Sequence, residues 1–483
     1  MTQSLNLLPL NPEIIIIGFA LLLLVVDMAT RIRDVRSEGS LMAGVALVGV
    51  LLAAGATAAC LGHGDKSVAD VLVVDDVSRY LNLAILLAAG LGILLAWRYV
   101  PEFTTQSSSF YALLLLAVAG MMFLGKSTEL ITMFVSLEVM SVSLYVLTGF
   151  NRHQLSSAEG ALKYFLLGAF SSGFFLYGMA LLYADTGSTQ LAQIATDNTG
   201  GVLVLAGLAL LLIGFFFKLA GVPFHGWAPD AYQGAPTPVT AFMSVATKAA
   251  VFIALFRVLA VMPASLSSVW APTIAVVALL TMTLGNFAAL RQSSLKRMLA
   301  YSSIAHAGYI LTGVVAGTGA VGAVLYYLFA YAFMNIGAFA VMAMLERPTP
   351  ERNQDADIVS ARGLFNRRPL LAVAMALFML SLAGVPPMVG FFGKLYVFSA
   401  VVKAGWVWLA VLAMLNSVVS AYYYLRVVVT MFMAEPDEQS FVRASLPAGA
   451  TMAIAIAAAG VMLMGLLASP VFIELGKAVI GLR

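Results

Sequence analysis

Two uninterrupted apolar runs, Ile14 to Val26 and Val202 to Phe217, set the first limit on what this chain can fold into. Neither alternates, as the strands of a membrane β-barrel would, and each approaches the roughly 20 apolar residues that an α-helix needs to cross a bilayer. Only 10% of the 483 residues are charged and 61% are hydrophobic, with a mean hydropathy of +0.97. A soluble surface needs about 25% charge. The chain therefore reads as an all-α polytopic membrane protein. Its N-terminus carries neither a basic n-region nor a small-residue cleavage site, so the first run reads as a retained span.

Apolar runs between polar breaks predict about fourteen spans. They fall near 13–30, 40–60, 80–98, 110–125, 129–149, 160–184, 202–220, 238–260, 270–290, 297–315, 319–345, 369–402 (interrupted), 405–433 and 447–470. The fourth is short, and the twelfth and thirteenth are long. Lysine and arginine in the loops set the orientation. One side holds Arg31, Arg33, Arg36, Arg98, Arg152, Arg291, Lys296, Arg297, Arg347, Arg352, Arg362, Arg367, Arg368 and Arg443. The other holds Lys66, Arg79, Lys126, Lys403, Lys477 and Arg483. This bias of 14 to 6 places the first side in the cytoplasm and both termini on the outer, periplasmic side.

Leu219-Ala220-Gly221-Val222-Pro223 recurs 163 residues on as Leu382-Ala383-Gly384-Val385-Pro386. Five spans separate the copies, and an odd number inverts one relative to the other. Paired Gly/Pro interruptions in corresponding spans point to a transporter built from inverted repeats. The expected division is 1–109 for the first three spans, 110–262 and 263–434 for the two five-span repeats, and 435–483 for the last span. Gly221, Pro223, Pro386 and Pro387 mark the breaks. A proline removes an amide donor and lipid offers no substitute, so both breaks are expected beside a hydrated interior. A plain structural kink is the competing reading.

Ionisable residues cluster around these breaks. Lys218 lies three residues before Gly221, where orphan carbonyls at a helix end favour a cation while burial disfavours it. A lysine between those opposing effects can take up and release a proton. Glu138 lies mid-span, and a lone buried carboxylate needs a partner or a proton. Lys218 is the natural partner, although a static salt bridge would meet the same need. Lys248, His306 and Lys394 lie on three further spans. A lone buried histidine is often only a core residue, but five ionisable groups on five spans mark an ion pathway. Lys163, Arg257 and Arg426 lie near span ends, where long side chains can snorkel. His225 follows Pro223 and either lines the break or caps it. Amines suit protons better than hard metal cations, which want several oxygen ligands. The single cysteine, Cys60, can form no intrachain disulfide, and no Cys cluster or Rossmann glycine fingerprint offers a redox or metal site. No cofactor is expected in this chain and no nucleic-acid partner.

Several stretches resemble the antiporter-like subunits of respiratory complex I. They are Phe217-Lys218-Leu219-Ala220-Gly221-Val222-Pro223-Phe224-His225-Gly226-Trp227-Ala228-Pro229-Asp230-Ala231-Tyr232, its continuation Gly234-Ala235-Pro236-Thr237-Pro238-Val239-Thr240, and Ser294-Leu295-Lys296-Arg297-Met298-Leu299-Ala300-Tyr301-Ser302-Ser303-Ile304 with His306. Ser136-Leu137-Glu138-Val139-Met140-Ser141, Ala161-Leu162-Lys163-Tyr164-Phe165 and the lysine at 394 are most similar to the subunit N branch. The resemblance implies discontinuous seventh and twelfth spans and a proton relay. In that relay Glu138 modulates Lys218, Lys248 joins the two halves, His306 bridges the middle, and Lys394 serves the exit or the next subunit. It also implies partners: other antiporter-like and small membrane subunits in a bacterial inner membrane, with FMN, iron–sulfur clusters and quinone in partner subunits of an NADH:quinone oxidoreductase. Two alternatives stay open: a subunit of a multisubunit cation/proton antiporter, and a purely structural membrane subunit.

Overall fold

The computed structural model describes residues 7–29, 34–197, 200–346, 357–435, 447–478 and 480. The basic residues Arg31, Arg33, Arg347, Arg352, Arg443 and Arg483, used above for orientation, lie outside the described residues.

In chain order the helices are α1 (Asn11–Ala29), α2 (Val35–Ala59), α3 (Asp76–Tyr99), α4 (Ser107–Lys126), α5 (Leu130–Thr148), α6 (Leu155–Thr186), α7 (Leu191–Asp197), α8 (Val202–Leu219), α9 (Ala228–Gly234) and α10 (Thr237–Ala260). There follow α11 (Ser267–Leu290), α12 (Leu295–Val315), α13 (Val321–Ala343), α14 (Leu364–Arg367), α15 (Pro369–Ala383), α16 (Val389–Lys403), α17 (Val407–Met433), α18 (Ala448–Leu466) and α19 (Ala468–Gly476). Thirteen of the described helical segments are long and apolar enough to cross a bilayer, and α15 is a shorter apolar helix that α16 continues. These are the fourteen spans read from the sequence, with the twelfth in two pieces.

The differences are local. The fourth span is not short: α4 starts at Ser107, because Ser107 and Ser108 are buried and extend the helix past the apolar run. A small antiparallel hairpin, Lys66–Val68 with Leu72–Val74, interrupts the all-helical pattern between α2 and α3. It is too short and too polar at its start to stand out in sequence.

Burial sorts the helices into an inner and an outer set. The most apolar stretch of α10 is 100% buried and those of α12 and α13 nearly so, whereas α6 and α17 are 33% buried. The outer helices carry apolar side chains on their open faces, such as Ile131, Val135, Val139, Val142 and Val146 along α5. Their spacing of three and four residues is one helical stripe, suited to lipid or to a neighbouring membrane chain. α10 packs against α3, α4 and α13, and α11 against α12. Close backbone approach holds α11 on α12: a Cβ at Gly285 would lie 2.7 Å from the Ala305 nitrogen.

Candidate functional site: a buried row of amines

The seventh span ends at Leu219, and Ala220 turns the chain with φ of 56°, a left-handed conformation that favours glycine. The break satisfies its own backbone. Gly221 N–H donates to Phe216 O at 2.7 Å, Val222 N–H to Thr281 Oγ1 at 2.9 Å, and Trp227 Nε1 to Phe217 O at 2.9 Å. Lys218 sits in the last turn before this end, 3% exposed. Its amine donates to the Tyr145 hydroxyl at 3.0 Å and lies over the rings of Tyr145 and Tyr164, 5.0 and 5.3 Å from their centroids. Tyr164 stacks on Trp227 at 4.2 Å, which packs the floor of the break against the amine.

Glu138 and Lys218 do not form the direct ion pair that the sequence suggests. Among the described residues the Glu138 carboxylate accepts from Ser172 Oγ at 2.5 Å, on α6, and no contact joins it to the lysine. The Lys218 amine instead meets Tyr145, seven residues after Glu138 and so two turns along the same face of α5.

The second break solves the same problem by another route. α15 ends at Ala383, one residue later in the repeated motif than α8 does, and Gly384 makes the turn with φ of 93°. Gly384 N–H donates to Leu380 O and Ser381 O, at 3.1 and 3.0 Å. Lys394 lies beyond the break on α16, yet its amine reaches back to Leu382 O and Ala383 O, both at 2.9 Å, and to Ser417 Oγ at 2.8 Å. Both lysines thus stand at the carbonyl end of a half-helix, one from within it and one from across the gap. Lys394 also forms part of the wall of a cavity of 730 Å³ lined by Gly384, Phe398, Met414 and Ser417.

Pro223, Pro386 and Pro387, at the two breaks, are exposed rather than enclosed by the chain. A proline ring has no N–H to satisfy, so it can meet an apolar surround while the donors of the break turn inward.

Between the two breaks the row continues. Lys248 is fully buried on α10 and donates to the backbone oxygen and hydroxyl of Ser303 on α12. One turn on, His306 meets the Tyr327 hydroxyl at 2.8 Å through Nδ1 and the Tyr424 hydroxyl at 3.1 Å through Nε2. Its ring stacks on Tyr331 at 5.0 Å, and Lys248 lies 5.8 Å over that same ring. Lys394 lies 5.2 Å over the Tyr309 ring, which in turn meets His306 edge-on at 5.7 Å. The structure therefore brings Lys248, His306 and Lys394 into one continuous polar–aromatic chain, and Lys218 and Glu138 into a second group around Tyr145.

The secondary candidates lie elsewhere. Lys163 is partly exposed at one end of α6, paired with Asp230 at 2.7 Å and Glu159 at 2.6 Å. His225 is half-buried in the first break, and its Nδ1 has no partner among the described residues. Arg426 donates to Leu290 O and Gln292 O. Arg257 does not snorkel. It is fully buried and binds both carboxylate oxygens of Asp75, at 2.8 and 3.0 Å, and Gly125 O at 2.7 Å.

Several groups escaped the sequence reading. Tyr145, Tyr327 and Tyr424 look like apolar helix positions, although their hydroxyls hold the row. Lys126 and Lys296 count as loop cations by position, yet both are buried. Lys126 pairs with Glu13, which also accepts from Asn82 at 2.7 Å. Lys296 donates to Ala235 O at 2.7 Å and stands 4.0 Å from Glu346.

The model of the NADH:quinone oxidoreductase/Mrp antiporter transmembrane family matches residues 127–420, which hold every member of the row. The NADH-quinone oxidoreductase subunit N of Trichlorobacter lovleyi is 45% identical over 97% of this chain and 96% of its own length. The chain belongs to this family, on its subunit N branch. A chain of respiratory complex I from Thermus thermophilus has the same fold, with a TM-score of 0.82 and 36% identity over 95% of this chain and 98% of that one. A chain of the Mrp complex from Dietzia sp. is similar in fold, with a TM-score of 0.78 at 24% identity, over 97% of this chain and 96% of that one. Family and spans together make this a multi-pass membrane protein.

Proposed function

We propose that the chain is a proton-translocating membrane-arm subunit of an NADH:quinone oxidoreductase, and that Glu138, Lys218, Lys248, His306 and Lys394 carry the protons. The observation that carries this reading is the placement of the amines. Each is buried, and each is held by neutral oxygens and aromatic faces instead of a contacting carboxylate. Such a site can lose its charge without stranding a buried anion beside it, which a directly paired lysine could not do. Protonation of each site is then open to control by charge at a distance. Glu138 supplies that charge for Lys218, and redox energy released in partner subunits drives the cycle.

The same proposal covers the setting. Residues 110–262 and 263–434 are the two inverted repeats, and both termini face outward from a bacterial plasma membrane. FMN, iron–sulfur clusters and quinone belong to partner subunits, and Lys394 faces the exit or the next antiporter-like subunit. The 730 Å³ cavity supports that last assignment, because the otherwise buried Lys394 forms part of its wall. A cation antiporter would share the fold, but the subunit N relative is much closer in sequence than the Mrp chain.

The test is NADH-driven proton uptake in inverted membrane vesicles carrying Lys218→Ala, with assembly of the complex checked first. Lost pumping, with Lys218→Arg assembling but pumping slowly at most because a guanidinium holds its proton, supports the reading. Full pumping by the assembled Ala variant refutes it and favours a structural role.

A further inference from the structure

A fully buried helix has no solvent to satisfy its hydroxyls, so where they point is informative. α10 carries Thr237, Thr240 and Ser244 below Lys248, and all three are completely buried. At 3.6 residues per turn, these three and Lys248 fall within an arc of roughly 80° and rise about 16 Å along one face. Hydroxyls in apolar helices commonly bond back to a carbonyl of their own helix, as Thr247 does to Met243 O. The lower two do not. Thr237 Oγ1 donates to Glu346 Oε1 at 2.5 Å, and Thr240 Oγ1 to Tyr232 O at 2.8 Å. Ser244 Oγ, a turn below Lys248, donates back to Ala241 O at 3.0 Å and accepts from Asn335 Nδ2 at 2.7 Å.

At the foot of this stripe lies a buried couple. Glu346 is 2% exposed and also accepts from the Tyr99 hydroxyl at 3.0 Å. Lys296, 3% exposed, stands 4.0 Å away and donates to Ala235 O, at the carbonyl end of α9. Beside the stripe, the Asn335 Oδ1, Tyr232 hydroxyl and Tyr331 hydroxyl atoms are buried without a hydrogen-bond partner among the described residues. Buried polar atoms of this kind are ordinarily satisfied by ordered water. The Cβ atoms of residues three and four apart on a helix lie about 5–6 Å from each other, a spacing that a bridging water between their hydroxyls can span.

We propose that Glu346 is a further protonatable site, and that the stripe Thr237–Thr240–Ser244 with its bridging waters connects it to Lys248. Glu346 takes a proton from the side that the positive-inside bias assigns to the cytoplasm. It passes the proton to the first bridging water, and the last water protonates the neutral Lys248 amine. Only O–H and N–H bonds form and break along the way. Lys296 is a positioning residue: its charge, anchored on Ala235 O, holds Glu346 ready to return to carboxylate. The stripe would load the middle of the row directly, without passage through Lys218. This inference rests on the proton-translocating reading above.

The experiment compares Glu346→Gln, Glu346→Asp, Thr237→Val and Lys218→Ala complexes in inverted vesicles. It reads NADH-driven proton uptake per assembled complex. E346Q keeps the shape but cannot exchange a proton; its amide oxygen accepts from one of the two hydroxyls and its NH2 donates to the other. The expected result is at least a five-fold loss in E346Q with at least half of the rate retained in E346D, a rescue that a purely structural role would not produce. Parental pumping by assembled E346Q overturns the proposal. If E346Q does not assemble, T237V decides, because it is isosteric and removes only the first hydroxyl. A loss of at least half supports the stripe, and a parental rate overturns it. K218A separates the two readings: if it abolishes pumping while E346Q does not, only the stripe falls. If neither variant affects pumping, the functional reading falls as well.

Discussion

The buried pair of Asp75 and Arg257 offers the clearest energetic test of how this fold holds charge. Asp75 caps α3, accepting from Ser78 N–H at 2.8 Å, and both partners have fully buried side chains. Asp75→Asn keeps the cap, since asparagine caps a helix as well as aspartate does. It removes the charge that compensates Arg257. Breaking a buried pair from one side costs about 3–5 kcal/mol, because the remaining charge is stranded. Replacing Arg257 with methionine as well removes the stranded charge. What then remains is chiefly the Gly125 carbonyl without this donor, worth about 1–3 kcal/mol. The double variant should therefore be no less stable than D75N alone, with a coupling of at least 2 kcal/mol in the cycle, or about 30-fold in the folding equilibrium. The assay is reversible unfolding of the full chain in mixed micelles by detergent titration, on parent, both single variants and the double. A D75N cost below 1 kcal/mol, or strictly additive costs, would refute the account of Arg257 as a stranded charge.

Two more outcomes follow from the second break. Lys394→Met leaves Leu382 O, Ala383 O and Ser417 Oγ without their amine donor, at about 1–3 kcal/mol for each group left unsatisfied. Little assembled complex should be found on native gels, whereas Lys394→Arg should assemble and pump slowly, because a guanidinium does not release its proton. Gly390→Ala would place a Cβ 1.9 Å from Ser381 O and force the half-helices α15 and α16 apart. It should abolish assembly, while Gly226→Ala, which meets nothing within 4 Å, should leave the amount of complex unchanged.

The spans and their breaks were legible because lipid imposes them. A run such as Val202–Leu219 has no soluble alternative, and a Gly/Pro interruption inside one has few lipid-compatible readings. The residues Lys218, Lys248 and Lys394 stood out for the same reason. Their partners did not. Tyr145 and Tyr424 differ from phenylalanine only by a hydroxyl, and nothing in a helical stripe says where it points. The charged pairs at span ends were hidden differently. Lys126 and Arg257 lie 113 and 182 residues from Glu13 and Asp75, and a cation at a span end reads the same whether it turns outward or inward. Glu138 illustrates a third limit. Its need for a partner was correct, but two helices could meet that need, and only packing chose Ser172 over Lys218.

The two breaks also explain a feature of the charge pattern that the repeat motif alone leaves puzzling. Lys218 precedes its motif and Lys394 follows its own, so the recurrence conserves the interruption more clearly than the charge. In three dimensions the conserved quantity is the carbonyl end of a half-helix, which presents a fixed partial negative charge of roughly half an electron. Lys394 reaches it from across the gap, whereas Lys218 stands in the last turn itself and gives its amine to the Tyr145 hydroxyl. Lys248 has no break, and instead takes the backbone and side-chain oxygens of Ser303. In all three cases the oxygens are neutral and anchored to the fold, so they cannot respond to redox work done elsewhere. Among the named members of the row, Glu138 alone contributes a full negative charge. It is only half-buried, and among the described residues a single hydrogen bond, from Ser172, holds it. If the row is driven electrostatically, that carboxylate is the member best placed to move.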